Sequence, residues 1–323
     1  MRNYPTIDDI HEARVRLKPY IRRTPILRAE KIEPAAGCQV YLKPETLQVT
    51  GAFKIRGALN KTLSLPKEAI ANGIIGTSSG NHAQGLAYAA KMLGVKATIV
   101  ILASTPEIKV ANTKALGAEV IPFDGDTAAR WKHVCDLAEE NGYVAIHGFE
   151  DPMVMAGQGT IGCEILEDLE DVDTVIIPLG GGGLISGIAT AIKETKPSVR
   201  VIAAEPALTP KYYQSRINRE RTTLPLLNTI ADGLRISVPG QNPFPIIEKY
   251  VDEIVLVEDE HIIAGMRSLA KDAKLIAEPA AAIGIGALLA GAVKVRPDEK
   301  VCVVLSGGNW NLGDLADIYQ LAE

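Results

Sequence analysis

Short runs of consecutive apolar residues alternate along this chain with longer segments whose apolar positions recur every three to four residues. The short runs are typical of strands buried on both faces, and the longer segments are typical of amphipathic helices. The first such segment, Thr6 to Leu17, carries Thr6 and Asp9 at capping-box spacing. The pattern predicts an α/β fold whose open, parallel-rich sheets are covered by helices on both faces.

The clearest elements continue almost to the end of the chain. We predict strands at Ala97 to Leu102, Glu119 to Phe123, Thr174 to Leu179, Arg200 to Ala204 and Lys300 to Leu305, and helices at Asn81 to Leu93, Thr127 to Asn141 and Glu260 to Ala273. The uncharged run Pro279 to Val293 is shorter than the roughly 18 residues that a membrane span needs. Its Ala and Gly content favours a closely packed interior helix.

Composition narrows the class of protein. The 323 residues, 47% hydrophobic and 23% charged, are ordinary for a globular protein. A net charge of −5 without a lysine or arginine cluster argues against a nucleic-acid partner, and the first residues lack the apolar core of a signal peptide. We therefore expect a cytoplasmic protein without membrane association. The four cysteines have no metal-like spacing, and three of them lie in apolar patterns, so reduced, buried thiols are expected: Cys38, Cys135, Cys163 and Cys302.

The stretch Thr50 to Gly57 sets Lys54 in an apolar, glycine-flanked bend just ahead of a helix-like segment. Desolvation against a residue such as Phe53 favours the neutral amine, which is the nucleophilic form. Lys54 is therefore a candidate for Schiff-base chemistry. Taken alone, a lysine is more often a solvated surface residue.

Three glycine-centred segments follow, each after a strand-like run. Gly76 to His82 and Gly180 to Gly183 both open a predicted helix, where backbone amides are suited to a carboxylate or phosphate. The third segment, Leu305 to Asn309, ends a buried strand and offers the Ser306 hydroxyl at the sheet edge where ligands bind. One such segment is weak evidence, because glycines after strands are often turns, but the combination is specific.

These motifs, FKIRG, SSGNH, GGGG and SGGN, resemble those of the serine/threonine dehydratase and serine racemase family of fold-type II pyridoxal-phosphate (PLP) enzymes. The resemblance runs over nearly the whole chain. It implies a tryptophan synthase β-like fold of two domains. Residues 1–72 and 150–323 would form a large PLP-binding domain, and residues 73–149 a small domain that carries the substrate-carboxylate loop.

The resemblance also implies roles for individual residues. Lys54 would hold PLP as a Schiff base, and the other cofactor contacts would be Phe53, Asn81, Gly180, Gly181, Gly182, Gly183, Gly233, Glu278 and Ser306. The substrate carboxylate would bind at Ser78, Gly80, Asn81 and His82, with the backbone of His82 mattering more than its ring. Ser79 matches the serine that racemases place opposite the lysine, so it is a second candidate catalytic residue.

Some positions depart from the family. Ala52 stands where a serine usually precedes the Phe-Lys pair. Serine racemases bind a divalent cation through a glutamate, a carbonyl and an aspartate; Glu205 and the Thr209 carbonyl match, but Lys211 falls at the aspartate position. We therefore expect no metal, with the Lys211 ammonium paired with Glu205 in its place. In the alternative, Lys211 points to solvent and a monovalent ion, or nothing, fills the site.

The substrate pocket is also expected to be less polar than that of a racemase. Ile236 and Phe149 lie where serine racemases have a serine and an asparagine, although Arg130 matches their arginine. Such a wall favours threonine or a bulkier 3-hydroxy amino acid such as phenylserine. The alternative is that both residues belong to the core.

The expected activity is the α,β-elimination of a 3-hydroxy L-amino acid, such as threonine or serine, to a 2-oxo acid and ammonia. A serine beside the pyridine nitrogen would leave that nitrogen neutral and favour prompt elimination. Serine racemisation, and a dehydratase specialised for phenylserine or 3-hydroxyaspartate, are the alternatives, and relatives suggest a homodimer or homotetramer. A nicotinamide oxidoreductase fits the GGGG spacing poorly, and a silent PLP sensor would have been free to lose these motifs.

Overall fold

The computed structural model describes residues 3–105, 107–311, 313, 316 and 318. The strands are β1 (Leu27–Arg28), β2 (Gln39–Pro44), β3 (Ile74–Thr77), β4 (Ala97–Leu102), β5 (Glu119–Phe123), β6 (Val144–Ala145), β7 (Thr174–Pro178), β8 (Arg200–Pro206), β9 (Glu253–Val257) and β10 (Lys300–Leu305). The α-helices are α1 (Ile7–Leu17), α2 (Glu33–Ala36), α3 (Lys54–Leu63), α4 (Asn81–Leu93), α5 (Glu107–Ala115), α6 (Thr127–Asn141), α7 (Pro152–Asp168), α8 (Gly183–Thr195), α9 (Lys211–Asn218), α10 (Pro243–Tyr250), α11 (Asp259–Ser268) and α12 (Pro279–Leu289).

The strands form two sheets. The larger sheet has six strands in the order β1-β2-β10-β7-β8-β9, and the smaller has four in the order β5-β4-β3-β6. Every pair is parallel except β1 with β2. Strands β3 to β6 all lie within residues 73–149, although the boundary of a smaller domain itself stays a prediction. The α/β class with parallel-rich sheets is confirmed.

Alternate residues of the large sheet face two separate apolar cores. Ile176 and Val303 pack on one side with residues of α11 and α12, whereas Ile177 and Val304 pack on the other side with residues of α7 and α8. This is why strands β7 and β10 read as uninterrupted apolar runs. Each fully buried aliphatic side chain contributes about 1.5–3 kcal/mol to folding.

The small sheet has its own core, and α3 packs beside it. Ala58 of α3 is buried together with Leu86 of α4 and Ile99 of β4. A side chain at Gly85 would lie 3.3 Å from the Lys54 carbonyl, so the backbones of α3 and α4 are in close contact. Helix packing therefore holds the start of α3, which is Lys54, near the start of α4.

A buried ion cluster, here called the Arg56 cluster, ties α3 to β2 and α7. The Arg56 guanidinium donates to Glu45 at 2.8 and 2.9 Å and to Glu164 at 2.7 and 3.0 Å. Lys43 pairs with Glu164 at 2.6 Å. Arg56, Glu45 and Lys43 are fully buried, so each charge depends on these partners rather than on water.

Most of the predicted elements are confirmed, including the capping box at Thr6 and Asp9. The helix predicted at Glu260 to Ala273 is partly wrong, because α11 ends at Ser268 and Leu269–Ala273 form a π turn. Apolar spacing does not separate this π turn from an α turn, because Leu269 and Ala273, four residues apart, pack against the same core. Helix α12 is an interior helix, as predicted.

All four cysteines carry free thiols, and Cys38, Cys163 and Cys302 are buried. The prediction of burial is wrong for Cys135, which is exposed because it lies on the polar face of α6 beside Asp136. Within the described part of the chain, no helix is long and apolar enough to cross a membrane.

Candidate active site

Lys54 lies at the carboxyl end of the large sheet, where β10 ends. The amide of Phe53 donates to the Ser306 carbonyl at 2.9 Å, and Ala52 forms a bridge with Gly307. These backbone contacts hold the lysine segment against the SGGN segment. Ser306 itself is almost completely buried. The structure thus brings together Lys54 and Ser306, which lie far apart in the sequence.

The Lys54 amine lies in a partly buried position and has a lowered pKa. Its Nζ donates to the Gly148 carbonyl at 2.9 Å and lies 5.0 Å from the centroid of the Phe53 ring. Burial lowers the pKa of Lys54 to about 8, although the Glu278 carboxylate opposes the shift. The amine is therefore much easier to deprotonate near neutral pH than an ordinary lysine.

Asn81, the first residue of α4, has both ends of its amide engaged. Its Nδ2 donates to the two carboxylate oxygens of Glu278 at 2.9 and 3.1 Å. Its Oδ1 accepts from the Nδ2 of Asn309 at 2.9 Å. Asn309 Nδ2 also donates to the Thr50 carbonyl at 2.8 Å. These contacts fix the orientation of the Asn81 amide and join the SSGNH, SGGN and lysine segments.

Residues 180–183, here called the glycine loop, are four consecutive glycines that follow Leu179 after β7 and lead into α8. A Cβ at Gly181 would lie 2.4 Å from the Phe149 ring, and Gly182 has a φ of +97°. The loop opens α8, whose 13 residues give its first amides the partial positive charge of a helix N-terminus. A side chain at Gly181 or Gly182 would clash with its neighbours, and the backbone amides of this buried loop form a cradle for an anion.

Gly233 lies beside the glycine loop. A Cβ at Gly180 would lie 3.2 Å from the Gly233 carbonyl oxygen and from the Leu234 Cα. Gly233 is exposed, so its backbone borders open space. Two segments that the sequence assigned to one cofactor are therefore neighbours in the fold.

The SSGNH loop, residues 78–82, leads into α4. Ser78 Oγ accepts from the Gly80 amide at 3.1 Å, and Ser79 is partly buried. His82 is buried, with Nε2 3.2 Å from the Ile146 carbonyl, and burial lowers the pKa of its ring to about 3. The ring is therefore neutral at pH 7. Open space around Gly80, where a Cβ would meet nothing within 4 Å, leaves room for a ligand.

The three residues predicted to form the substrate wall lie on different parts of the fold. Phe149 packs on the glycine loop, and its ring also makes an edge contact with His147, 4.5 Å between centroids. Arg130 is half-buried on α6, and its Nε has no hydrogen-bond partner in the described structure. Ile236 is partly buried beyond Leu234. That Arg130, Phe149 and Ile236 contact substrate stays a prediction.

Glu205 and Lys211 form a fully buried ion pair, 3.0 Å between Nζ and Oε1. The Lys211 ammonium also donates to the carbonyls of Leu179 and Leu234, each at 3.3 Å. The predicted pairing is confirmed, and the alternative in which Lys211 points to solvent is wrong. Among the described residues, no group of three or more His, Cys, Asp or Glu side chains is arranged to hold a metal ion.

Sequence reasoning missed contacts that depend on backbone atoms. The Gly148 carbonyl that binds Lys54 has no signature in the sequence. Tyr212, whose hydroxyl donates to the Gly181 carbonyl at 2.9 Å, belongs to no motif that would distinguish it in the sequence. Asn309 belongs to the SGGN motif, so its place in the motif was the available signal.

This donor set fits a phosphorylated aldehyde cofactor. The Lys54 amine can attack an aldehyde, the glycine loop can receive a phosphate, and the buried Ser306 hydroxyl can meet a ring nitrogen. The chain folds so that these groups converge at one sheet edge. Fold and site thus indicate the class of α/β enzymes that use such a cofactor.

Comparisons with known proteins identify the family. Residues 17–307 match the family of pyridoxal-phosphate-dependent enzymes, and the chain belongs to that family. Its cofactor is therefore pyridoxal phosphate, and the nicotinamide alternative is wrong. The L-threonine ammonia-lyase of Geobacter sulfurreducens is 46% identical over 300 residues, which cover 93% of this chain and 74% of the relative.

Two further relatives are serine racemases. The serine racemase of Arabidopsis thaliana is 42% identical over 315 residues, covering 96% of this chain and 95% of the relative. The solved structure of maize serine racemase superposes with a TM-score of 0.93 at 38% identity and covers 98% of each chain. The chain is thus similar over almost its full length to both a lyase and racemases.

Proposed function

We propose that this protein is a PLP-dependent ammonia-lyase that converts a 3-hydroxy L-amino acid of the threonine or serine type to a 2-oxo acid and ammonia. The observation that carries the proposal is the partly buried Lys54 amine, which is held by the Gly148 carbonyl beside the SGGN segment and whose pKa burial lowers to about 8. Such an amine serves both as the nucleophile that binds an aldehyde and as a base near neutral pH. Similarity to a threonine ammonia-lyase supports the choice of substrate class.

In this proposal the residues around Lys54 hold the cofactor. The amides of the glycine loop bind its phosphate, Ser306 faces its ring nitrogen, and Phe53 and Gly233 border its ring. Asn81 and Glu278, which are hydrogen-bonded to each other, lie beside the hydroxyl oxygen of the cofactor ring in this proposal. When bound, PLP supplies an electron sink for the charge left on the substrate α-carbon.

Lys54 acts as the base that removes the α-proton. It must be neutral to do so, and its lowered pKa provides a usable fraction of neutral amine. The hydrogen bond from Nζ to the Gly148 carbonyl restricts the rotation of the amine. Loss of the β-hydroxyl together with a proton, followed by hydrolysis, then yields the 2-oxo acid and ammonia.

The substrate carboxylate binds at the start of α4. Amides of residues 78–82 precede a helix of 13 residues, whose N-terminus favours an anion. Because the His82 ring is neutral at pH 7, we assign its backbone rather than its ring to this site. Arg130, Phe149 and Ile236 form the side-chain wall, in which the apolar Phe149 and Ile236 favour a methyl or larger substituent over the hydrogen of serine.

Serine racemisation is the second candidate, favoured by the similarity to plant serine racemases. Ser79 would then be the acid/base residue on the face of the substrate opposite Lys54. The two activities share the removal of the α-proton and diverge afterwards. We further propose the small domain at residues 73–149, a homodimer or homotetramer, and a cytoplasmic location.

The first experiment measures 2-oxo acid release by PLP-loaded enzyme from L-threonine, L-serine, threo-3-phenylserine and 3-hydroxyaspartate. Chiral analysis of the remaining amino acid follows the racemase reaction in the same samples. Oxo acid that is lost in Lys54→Ala and retained in Lys91→Ala, an exposed lysine, supports the lyase. Inverted serine without oxo acid would identify a racemase, and no product from any substrate would contradict both proposals.

A further inference from the structure

The glycine loop is held from behind by the first turn of α9. The Tyr212 hydroxyl donates to the Gly181 carbonyl at 2.9 Å and accepts from the Gly240 amide at 3.0 Å. Tyr212 is completely buried, so water cannot replace either partner. One hydroxyl therefore joins the glycine loop to the segment that leads into α10.

The Tyr212 hydroxyl keeps its proton. Burial raises the pKa of Tyr212 well above its ordinary value, although the hydrogen bond from Gly240 opposes the shift. A protonated hydroxyl donates one hydrogen bond and accepts others, which matches its two partners. The hydroxyl is therefore protonated at neutral pH and can donate to the Gly181 carbonyl.

Tyr212 is itself fixed at the backbone. The two carboxylate oxygens of Glu205 accept from the amides of Tyr212 and Tyr213, both at 2.9 Å. These are amides of the first turn of α9, which have no partner within the helix. Glu205 thus anchors the start of α9 to the end of β8, and the tyrosine ring extends from a rigid base.

The contact determines how one peptide of the glycine loop is oriented. In a trans peptide the carbonyl and the following N–H point in opposite directions. With the Gly181 carbonyl bound to Tyr212, the Gly182 N–H must point away from α9. Because Gly182 has a φ of +97°, this peptide lacks the ordinary restraint of helix or strand geometry and depends on such an anchor.

We propose that Tyr212 is a positioning residue that orients the peptide between Gly181 and Gly182 for the cofactor phosphate. Tyr212 does not touch the cofactor in this proposal and acts through the Gly181 carbonyl. The inference rests on the proposed assignment of the glycine loop to the phosphate. It concerns selectivity for the phosphate group rather than the chemistry at Lys54.

The test is the binding of PLP and of pyridoxal, which lacks the phosphate, to apoenzyme. In Tyr212→Phe the affinity for PLP is expected to fall about tenfold, equivalent to about 1.4 kcal/mol, while the affinity for pyridoxal stays the same. Tyr213→Phe is the matched control, because Tyr213 is exposed and contributes only its backbone amide to this network. Titrations followed by the absorbance of bound cofactor give the dissociation constants of PLP and pyridoxal for each protein.

A second variant disturbs the same carbonyl without altering the tyrosine. A Cβ at Gly240 would lie 2.6 Å from the Gly181 oxygen, so Gly240→Ala pushes against the carbonyl from another direction. The same selective loss of PLP affinity is expected. Circular dichroism and the melting temperature of each apoenzyme verify that the variants are folded.

The outcomes separate this inference from the assignment beneath it. Equal affinity of the unaltered protein for PLP and pyridoxal would overturn the phosphate assignment, and the inference with it. A protein that prefers PLP and keeps that preference in Tyr212→Phe and Gly240→Ala would overturn the inference alone. Equal weakening of PLP and pyridoxal would also overturn it, because the tyrosine would then support the pocket as a whole.

Discussion

Capture of PLP by the apoenzyme is expected to depend on pH through Lys54. Burial lowers the pKa of this amine from 10.5 to about 8. At pH 7 the neutral fraction is then about 1 in 11, against about 1 in 3000 for an ordinary lysine, an advantage of about 300-fold. Only the neutral amine attacks the aldehyde, so the association rate should rise about tenfold per pH unit below 8 and level off above it.

Glu278→Gln tests the cause of this pKa. The Glu278 carboxylate raises the pKa of Lys54 and so opposes the effect of burial. Glutamine removes the charge but keeps an oxygen that can accept from Asn81. The midpoint of the rate profile is therefore expected to move below pH 8. Glu260→Gln, which neutralises a carboxylate whose side chain is 80% exposed, is the control and should not move it.

The assay mixes apoenzyme with PLP in a stopped-flow instrument and follows the visible absorbance of the protein-bound Schiff base from pH 6 to 10. PLP has ionisations of its own, so the rates are divided by those of a small primary amine measured in parallel. A midpoint near 10 would refute the argument that burial activates Lys54. An upward shift in Glu278→Gln would refute the electrostatic role of the carboxylate.

Three further predictions concern the surroundings of the site. Activity should survive treatment with a chelator, because the Lys211 ammonium already pairs with the buried Glu205; restoration of lost activity by Mg²⁺ would contradict this. Phe149→Asn should raise kcat/KM for serine relative to phenylserine, and an unchanged ratio would show that Phe149 is core. Arg56→Met should lower the free energy of unfolding of the apoenzyme by about 3–5 kcal/mol, because it leaves buried carboxylates short of a partner. Denaturant titration measures this, with the exposed Arg296→Met as control, and a loss below about 1 kcal/mol would contradict it.

The fold was largely predictable because its strands are buried on both faces. Strands β4, β5 and β10 and helices α4 and α6 have the bounds that the apolar patterns predict. Parallel strands between two helical layers give uninterrupted apolar runs, which are easy to delimit between glycines and charged residues. Short edge strands such as β1 and β6, with two residues each, are too short to have a pattern.

The candidate site was predictable where a sequence motif supplies the residue. It was not predictable where a contact between distant parts of the chain brings the residue to the site. Lys54 and the Glu205–Lys211 pair were identified from residue type and position. The Gly148 carbonyl and the Tyr212 hydroxyl act through tertiary contacts across tens of residues, which one sequence does not encode as a local pattern.

The arrangement of charge around the site explains how a lysine can stay reactive there. Two buried cations, Arg56 of α3 and Lys211 beneath the glycine loop, are each paired with a carboxylate. The two basic groups near the loop of residues 78–82 are shifted toward the neutral form, since burial lowers the pKa of Lys54 to about 8 and that of His82 to about 3. An unpaired cation close to the amine would lower its pKa further, and an additional carboxylate would raise it. With Arg56 and Lys211 each neutralised by a carboxylate, desolvation outweighs the opposing Glu278 carboxylate at Lys54 and keeps the pKa of its amine low.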